Sequence, residues 1–174
     1  MLNIDTETYE IAITRGDSAS ITFGAVDENG NVWNPQYTTD VMKFAVSKKW
    51  GGTVLMECSK TYDGNPYTEV EIDEDTFNAD KTKYYTKSGG TYTQCENTDS
   101  YNSAETYYVM DYANFWTAEI TKDKWLDDDG NDKFKFADYV YDVQVSTTSG
   151  DFTIIGKTED LNPTFKVLGE VAEE

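Results

Sequence analysis

A chain of 174 residues carrying thirteen Tyr, eight Phe and four Trp is long enough for one domain with a real core and too aromatic for a disordered acidic segment. Its formal charge of −19 repels nucleic-acid phosphates and anionic membrane surfaces, and no apolar run approaches membrane-spanning length, so neither partner is expected. With no histidine, Ser-His-Asp and Cys-His triads cannot be built, and the commonest general base and transition-metal ligand are missing.

Tyr9, Ile11 and Ile13 alternate with Glu10, Ala12 and Thr14, the period-two mark of a half-buried strand. Arg15-Gly16-Asp17 breaks that pattern, and Ser18 to Val26 resumes it with Ala19, Ile21 and Phe23 on one side. Asp27 to Asn31 is a turn built on Asn29-Gly30, and Asn34-Pro35 is another. Val41 to Ser47, with Met42, Phe44 and Val46 on one face, pairs through a Gly51-Gly52 loop with Val54 to Lys60. Asp63-Gly64-Asn65-Pro66 turns the chain into a short strand from Thr68 to Ile72.

Residues 78 to 111 differ in texture, being rich in Tyr, Thr and Ser. Phe77-Asn78, Thr82 and Tyr84-Tyr85 are echoed by Tyr101-Asn102, Thr106 and Tyr107-Tyr108. Two copies are too few for a solenoid. Tyr84 to Lys87, Ser88-Gly89-Gly90 and Thr91 to Gln94 predict a hairpin within a projecting β insertion.

The main pattern returns at Phe115 to Ile120. Thr121 to Leu126 is the best helical candidate, followed by an acidic turn from Asp127 to Asp132. Ala137 to Ser146 is the clearest strand, with Tyr139, Tyr141, Val143 and Val145 on one face. It pairs with Phe152 to Lys157 across Thr148 to Asp151, and Thr164 to Leu168 is the last strand. Residues 169 to 174 predict a mobile acidic tail. Strands at eight- to twelve-residue spacing predict an all-β, immunoglobulin-like antiparallel β-sandwich, with a Tyr-rich hairpin insertion at 78 to 111 and at most one short helix. The whole of 1 to 174 reads as one domain.

Arg15-Gly16-Asp17 is the tripeptide that integrins bind, but at a strand break it is better read as a turn with Gly16 supplying backbone freedom. Asp127 to Asp132 fails the EF-hand spacing and reads as a solvated turn. Asp73, Glu74 and Asp75 are three of 33 acidic residues, too common to mark a glycosidase pair, and Glu119 alternates toward solvent. Cys58 and Cys95 fit no zinc spacing and read as free thiols. No catalytic residue, metal ligand or cofactor site is predicted. Met1 to Glu10 lack the basic start and apolar stretch of a secretory signal, so synthesis and folding in a cytoplasm are expected. The candidate interaction residues are Tyr84, Tyr85, Tyr92, Tyr101, Tyr107 and Tyr108, whose amphipathic rings suit either an interface or a miniature core.

The run Ile11-Ala12-Ile13-Thr14-Arg15-Gly16-Asp17-Ser18-Ala19-Ser20-Ile21-Thr22-Phe23 resembles the start of the N-terminal domain of phage baseplate upper proteins. Tyr139 to Val145 followed by Phe152 to Lys157 resembles the closing hairpin of such domains, and Thr82 to Tyr92 resembles a Tyr-Tyr motif of phage tail and capsid proteins. The resemblance covers the first third and last fifth of the chain, and the insertion departs from it. It implies a non-enzymatic structural or adaptor protein of a tailed-phage or prophage virion, in the tail, baseplate or neck. The implied partners are other virion proteins and further copies in a cyclic ring, and the implied localisation is the virion, with synthesis in the bacterial host cytoplasm. The competing reading is a carbohydrate- or receptor-binding module of a fibre or capsid decoration, using the Tyr-rich insertion on a surface glycan.

Overall fold

The computed structural model describes residues 1–26 and 29–169. Asp27 and Glu28 of the expected turn, and the expected tail beyond Gly169, lie outside the described residues. In chain order the strands are β1 (Leu2–Asp5), β2 (Glu10–Thr14), β3 (Ala19–Thr22), β4 (Ala25–Val26), β5 (Val32–Trp33), β6 (Val41–Ser47), β7 (Val54–Thr61) and β8 (Tyr67–Val70). Helix α1 (Glu74–Ala79) and a 3₁₀ turn (Lys81–Lys83) precede β9 (Tyr84–Ser88), β10 (Thr91–Gln94) and β11 (Tyr107–Met110). Helix α2 (Ala113–Trp116), β12 (Thr117–Ile120) and a second 3₁₀ turn (Lys122–Trp125) lead to β13 (Asp138–Thr147), β14 (Gly150–Ile155) and β15 (Thr164–Leu168).

These elements form two compact units, Met1–Asp63 with Phe115–Glu174, and Gly64–Asn114. The larger unit is built on a sheet of order β1-β2-β15-β13-β6-β7, with β14 also paired to β13. Its centre is the antiparallel ladder that sets Val140–Ser146 against Ser47–Val41. Alternation explains this ladder: Met42, Phe44 and Val46 face Tyr141, Val143 and Val145 inward, all nearly devoid of solvent contact. Burying each such side chain contributes roughly 1.5–3 kcal/mol. A one-residue slip would expose every one of them, which fixes the register. The ladder between β15 and β2 is parallel, setting Phe165 beside Ile11, a departure from a wholly antiparallel sandwich.

A second layer comes from β3 paired with β12, whose Ile21, Ala118 and Ile120 are buried. Phe23 stacks on Phe44 at 5.7 Å between ring centroids, joining this layer to the large sheet. Phe165 and Trp125 continue the core, with Phe134 5.4 Å from Trp125. The architecture is therefore the expected all-β sandwich.

The helical content corrects the expectation of at most one short helix. The helix expected at Thr121–Leu126 is a single 3₁₀ turn over Lys122–Trp125, in which Trp125 is buried and its indole Nε1 donates to the Asp17 carbonyl at 2.8 Å. Helix α1 arises from Asp73-Glu74-Asp75, the acidic trio weighed above for catalysis. The Asp73 carboxylate accepts the Thr76 amide at 2.8 Å as an N-cap, and Glu74 and Asp75 lie favourably at the positive end of the helix dipole. Helix α2 follows Asp111, whose carboxylate accepts the Ala113 amide at 2.8 Å.

The smaller unit carries a four-stranded sheet of order β10-β9-β11-β8. It is wider than the 78 to 111 insertion read from sequence texture, because β11 pairs with β8 (Tyr107 opposite Val70). The Asp111 amide also donates to the Pro66 carbonyl at 2.7 Å. Its hairpin turns on Gly89 and Gly90 at φ 56° and 85°, the positive pair that a two-residue primed turn demands. Both cysteines are free and buried, Cys58 in the larger unit and Cys95 in the smaller one. Burial, with help from Asp123, Glu119 and Glu57 and against Lys124, pushes the Cys58 thiol up to about 11.

Candidate interaction site

The two Tyr-Tyr pairs of the smaller unit lie on neighbouring antiparallel strands, with Tyr85 opposite Tyr108 and Tyr84 opposite Val109. Successive strand residues point to opposite faces, so each pair sends one ring inward and one outward. Tyr84 and Tyr107 enter a core with Phe77 and Cys95, and Tyr101, Val70, Ile72 and Val109 pack against it. Phe77 lies 5.1 Å from Tyr107 and 5.8 Å from Tyr84, while Tyr101 stacks on Tyr107 at 5.7 Å. The hydroxyls are used inside this unit: Tyr101 donates to the Ile72 carbonyl at 3.0 Å, and Tyr107 accepts the Asn102 amide at 2.9 Å. The internal repeat thus has a physical meaning, since each copy supplies one anchor ring (Phe77 or Tyr101) and one Tyr-Tyr strand.

On the opposite face, Tyr85 and Tyr108 are joined by Tyr92 and by Tyr67. These four rings are half-buried. Tyr67 on β8 and Tyr92 on β10 come from the two edges of the sheet, about 14 Å apart at the usual strand spacing. Their rings lean across the face and stack at 4.0 Å, with 13° between planes. Tyr85 meets Tyr67 edge-on at 5.0 Å and Tyr108 meets Tyr92 edge-on at 5.1 Å. The Tyr85 hydroxyl donates to Met110 Sδ at 3.6 Å, and Met110 is 48 % exposed. Lys87 lies over the Tyr92 ring at 4.9 Å, and hydrogen bonding to Tyr92 raises its ammonium above the ordinary value. Burial, with Tyr67 and Tyr85 nearby, raises the Tyr112 phenol.

Of the six tyrosines singled out from sequence, the fold therefore assigns Tyr84, Tyr101 and Tyr107 to the core and Tyr85, Tyr92 and Tyr108 to the outer face. Sequence reasoning missed Tyr67, which follows the Asn65-Pro66 turn and precedes the strand as it was read. The alternation of Tyr67 and Glu69 with Thr68 and Val70 is the available signal.

No protein-family model, curated protein or solved structure matches the chain.

The remaining motifs resolve into structure. Arg15-Gly16-Asp17 is a turn closed by the Asp17 amide on the Thr14 carbonyl at 3.1 Å, with Gly16 at φ 85°. Arg15 lies over the Phe136 ring at 4.4 Å and pairs with Asp132 at 3.2 Å, and the Asp17 carboxylate holds the Met1 ammonium. In the acidic turn, the Asp127 carboxylate accepts the amides of Asn131 at 2.8 Å and Asp129 at 3.0 Å. These bonds hold Asp127 below its ordinary value and leave that oxygen committed to the loop itself. Glu119 is exposed and accepts the Ser20 hydroxyl.

Proposed function

We propose that the chain is a non-catalytic structural or adaptor protein of a tailed-phage or prophage virion, and that the Tyr67–Tyr85–Tyr92–Tyr108 face is one of its protein-contact surfaces. The virion part of this reading draws its support from the resemblance of Ile11–Phe23 and Tyr139–Lys157 to baseplate upper proteins. The contact surface draws its support from one observation: four tyrosines, with Met110 and Lys87, hold one another in a preformed cluster on an open sheet face. Rings fixed before binding lose little entropy on association, as interface anchors should. The glycan reading is less favoured by the same geometry. A sugar needs a bare ring face, and stacking of Tyr67 on Tyr92 covers one face of each.

The test pairs purified particles with a surface variant. The chain is expected in particles from the phage or induced prophage that encodes it. Tyr85→Ser with Tyr108→Ser is expected to fold yet drop out of those particles. Particles that lack the wild-type chain would overturn the virion reading. Normal incorporation of the double variant would remove this face as a contact. Glycan-array binding lost in that variant would replace the reading with the sugar module.

A further inference from the structure

Asp40 closes the approach to β6 from within the larger unit, and it is the buried acidic side chain among the described residues, at 1 % exposure. Its Oδ2 accepts the amides of Gln36 at 2.8 Å and Tyr37 at 3.1 Å. Its backbone is spent as well, donating to the Tyr37 carbonyl and accepting from Tyr62, both at 2.9 Å. Its Oδ1 is buried without a hydrogen-bond partner. A carboxylate oxygen out of water with nothing to accept from is costly, so the position implies a donor that the chain itself does not supply.

Asp40 lines a pocket of about 160 Å³ whose other walls include Trp33, Tyr37, Phe152, Thr148 and Ser149. That room compares with a cavity of about 150 Å³ that accepts benzene, so a planar head group of similar or smaller size fits. No Lys or Arg lines it. A carboxylate flanked by Trp and Tyr rings is suited to a cation that stacks as well as donates. At the mouth the unit exposes two large apolar groups, with Tyr37 59 % and Phe152 50 % exposed. A buried charge ringed by apolar groups is how an interface seats a single anchoring side chain.

We infer that this pocket is a receptor for an arginine side chain of a basic partner protein, with the guanidinium donating to Asp40 Oδ1 and stacking on the aromatic wall. Arginine is favoured over lysine because its guanidinium is planar, weakly hydrated and able to stack. A second copy of this chain is a poor donor, since its only arginine, Arg15, is already held by Asp132 and Phe136. The charge of −19 favours a basic partner in general. The inference does not rest on the tyrosine face of the other unit, and either can fail alone.

The test is a titration of the intact, isotopically labelled chain, followed by amide and indole NMR signals. The probes are N-acetyl-arginine methylamide and the neutral citrulline analogue. The arginine probe is expected to shift the Trp33 indole and the Thr148 and Ser149 amides saturably, and the citrulline probe is expected to leave them unmoved. The response should vanish in Asp40→Asn. It should also vanish in Thr148→Arg, a substitution at an exposed wall position that leaves the buried Asp40 network intact. No saturable shift with arginine would overturn the inference, leaving Oδ1 to an ordered water. An equal response to citrulline, or an unchanged response in Thr148→Arg, would overturn it too.

Discussion

At the scale of single residues, burial sets the chemistry of the titratable groups on the main sheet. Tyr141 sits between Phe44 and the strand ladder, and its hydroxyl donates to the Tyr9 carbonyl at 2.8 Å. Burial there raises its phenol well above the usual range. Asp142, the next residue, faces the other way, opposite Ala45. Burial raises its carboxyl above the ordinary 3.8, opposed in part by the Gln144 amide at 3.0 Å. A raised carboxyl binds its proton more tightly in the folded chain. Its favourable contribution is therefore complete below 3.8 and is lost as pH rises through the folded value. Asp142→Asn keeps an acceptor for Gln144 and removes the charge. The variant is expected to unfold at higher urea than wild type at pH 7, with the gain shrinking toward zero below 3.8. An equal gain at both pH values would show that desolvation of the charge is not the cause.

At the scale of elements, the antiparallel pairing of β9 with β11 divides labour between residues that are neighbours in sequence. Tyr107 and Tyr108 differ by one position and by everything else: one is 4 % exposed in a core, the other half-buried on a face. Replacing a buried aromatic by Ala costs about 3–5 kcal/mol. The Gly64–Asn114 unit has only about fifty residues, for which a typical stability is roughly 3–8 kcal/mol. Tyr107→Ala is thus expected to strip hydrogen-exchange protection from the amides of β9 and β11 while those of β6 and β13 stay protected. Tyr108→Ala is expected to leave both sets protected. Simultaneous loss in β6 and β13 would mean that the two units unfold as one.

At the scale of the whole molecule, 33 acidic residues against 14 basic ones leave the folded chain under strong self-repulsion. Ion pairs offset it in part: among the described residues Arg15 pairs with Asp132, Lys166 with Glu10 at 2.8 Å, and the Met1 ammonium with Asp17. These pairs are partly or largely exposed and contribute little. Screening should therefore help the fold more than it harms these pairs. The melting temperature is expected to rise as salt goes from about 0.01 M to about 0.15 M, where the screening length falls from roughly 30 Å to roughly 8 Å. A falling melting temperature would place the balance with attractive pairs instead.

Period-two alternation and turn chemistry are local, so the sequence carried them unaided. Val41–Ser47 and Thr164–Leu168 are strands over those very residues, and the Gly89-Gly90 hairpin follows from the backbone freedom of its two glycines. Composition likewise set the all-β class. Pairing between distant segments is not local. Nothing near Leu2–Asp5 announced an edge strand, since all four residues are exposed and the segment takes its place by pairing with β2. Asp73 looked like one acid among many until Thr76 folded back onto it. Which tyrosines make a core and which make a surface depended on the register between β9 and β11, and on Tyr67 reaching across from the far edge. The orphaned oxygen of Asp40 was equally invisible in one dimension. A carboxylate is a site only when the tertiary fold takes away its water and leaves one lone pair unanswered.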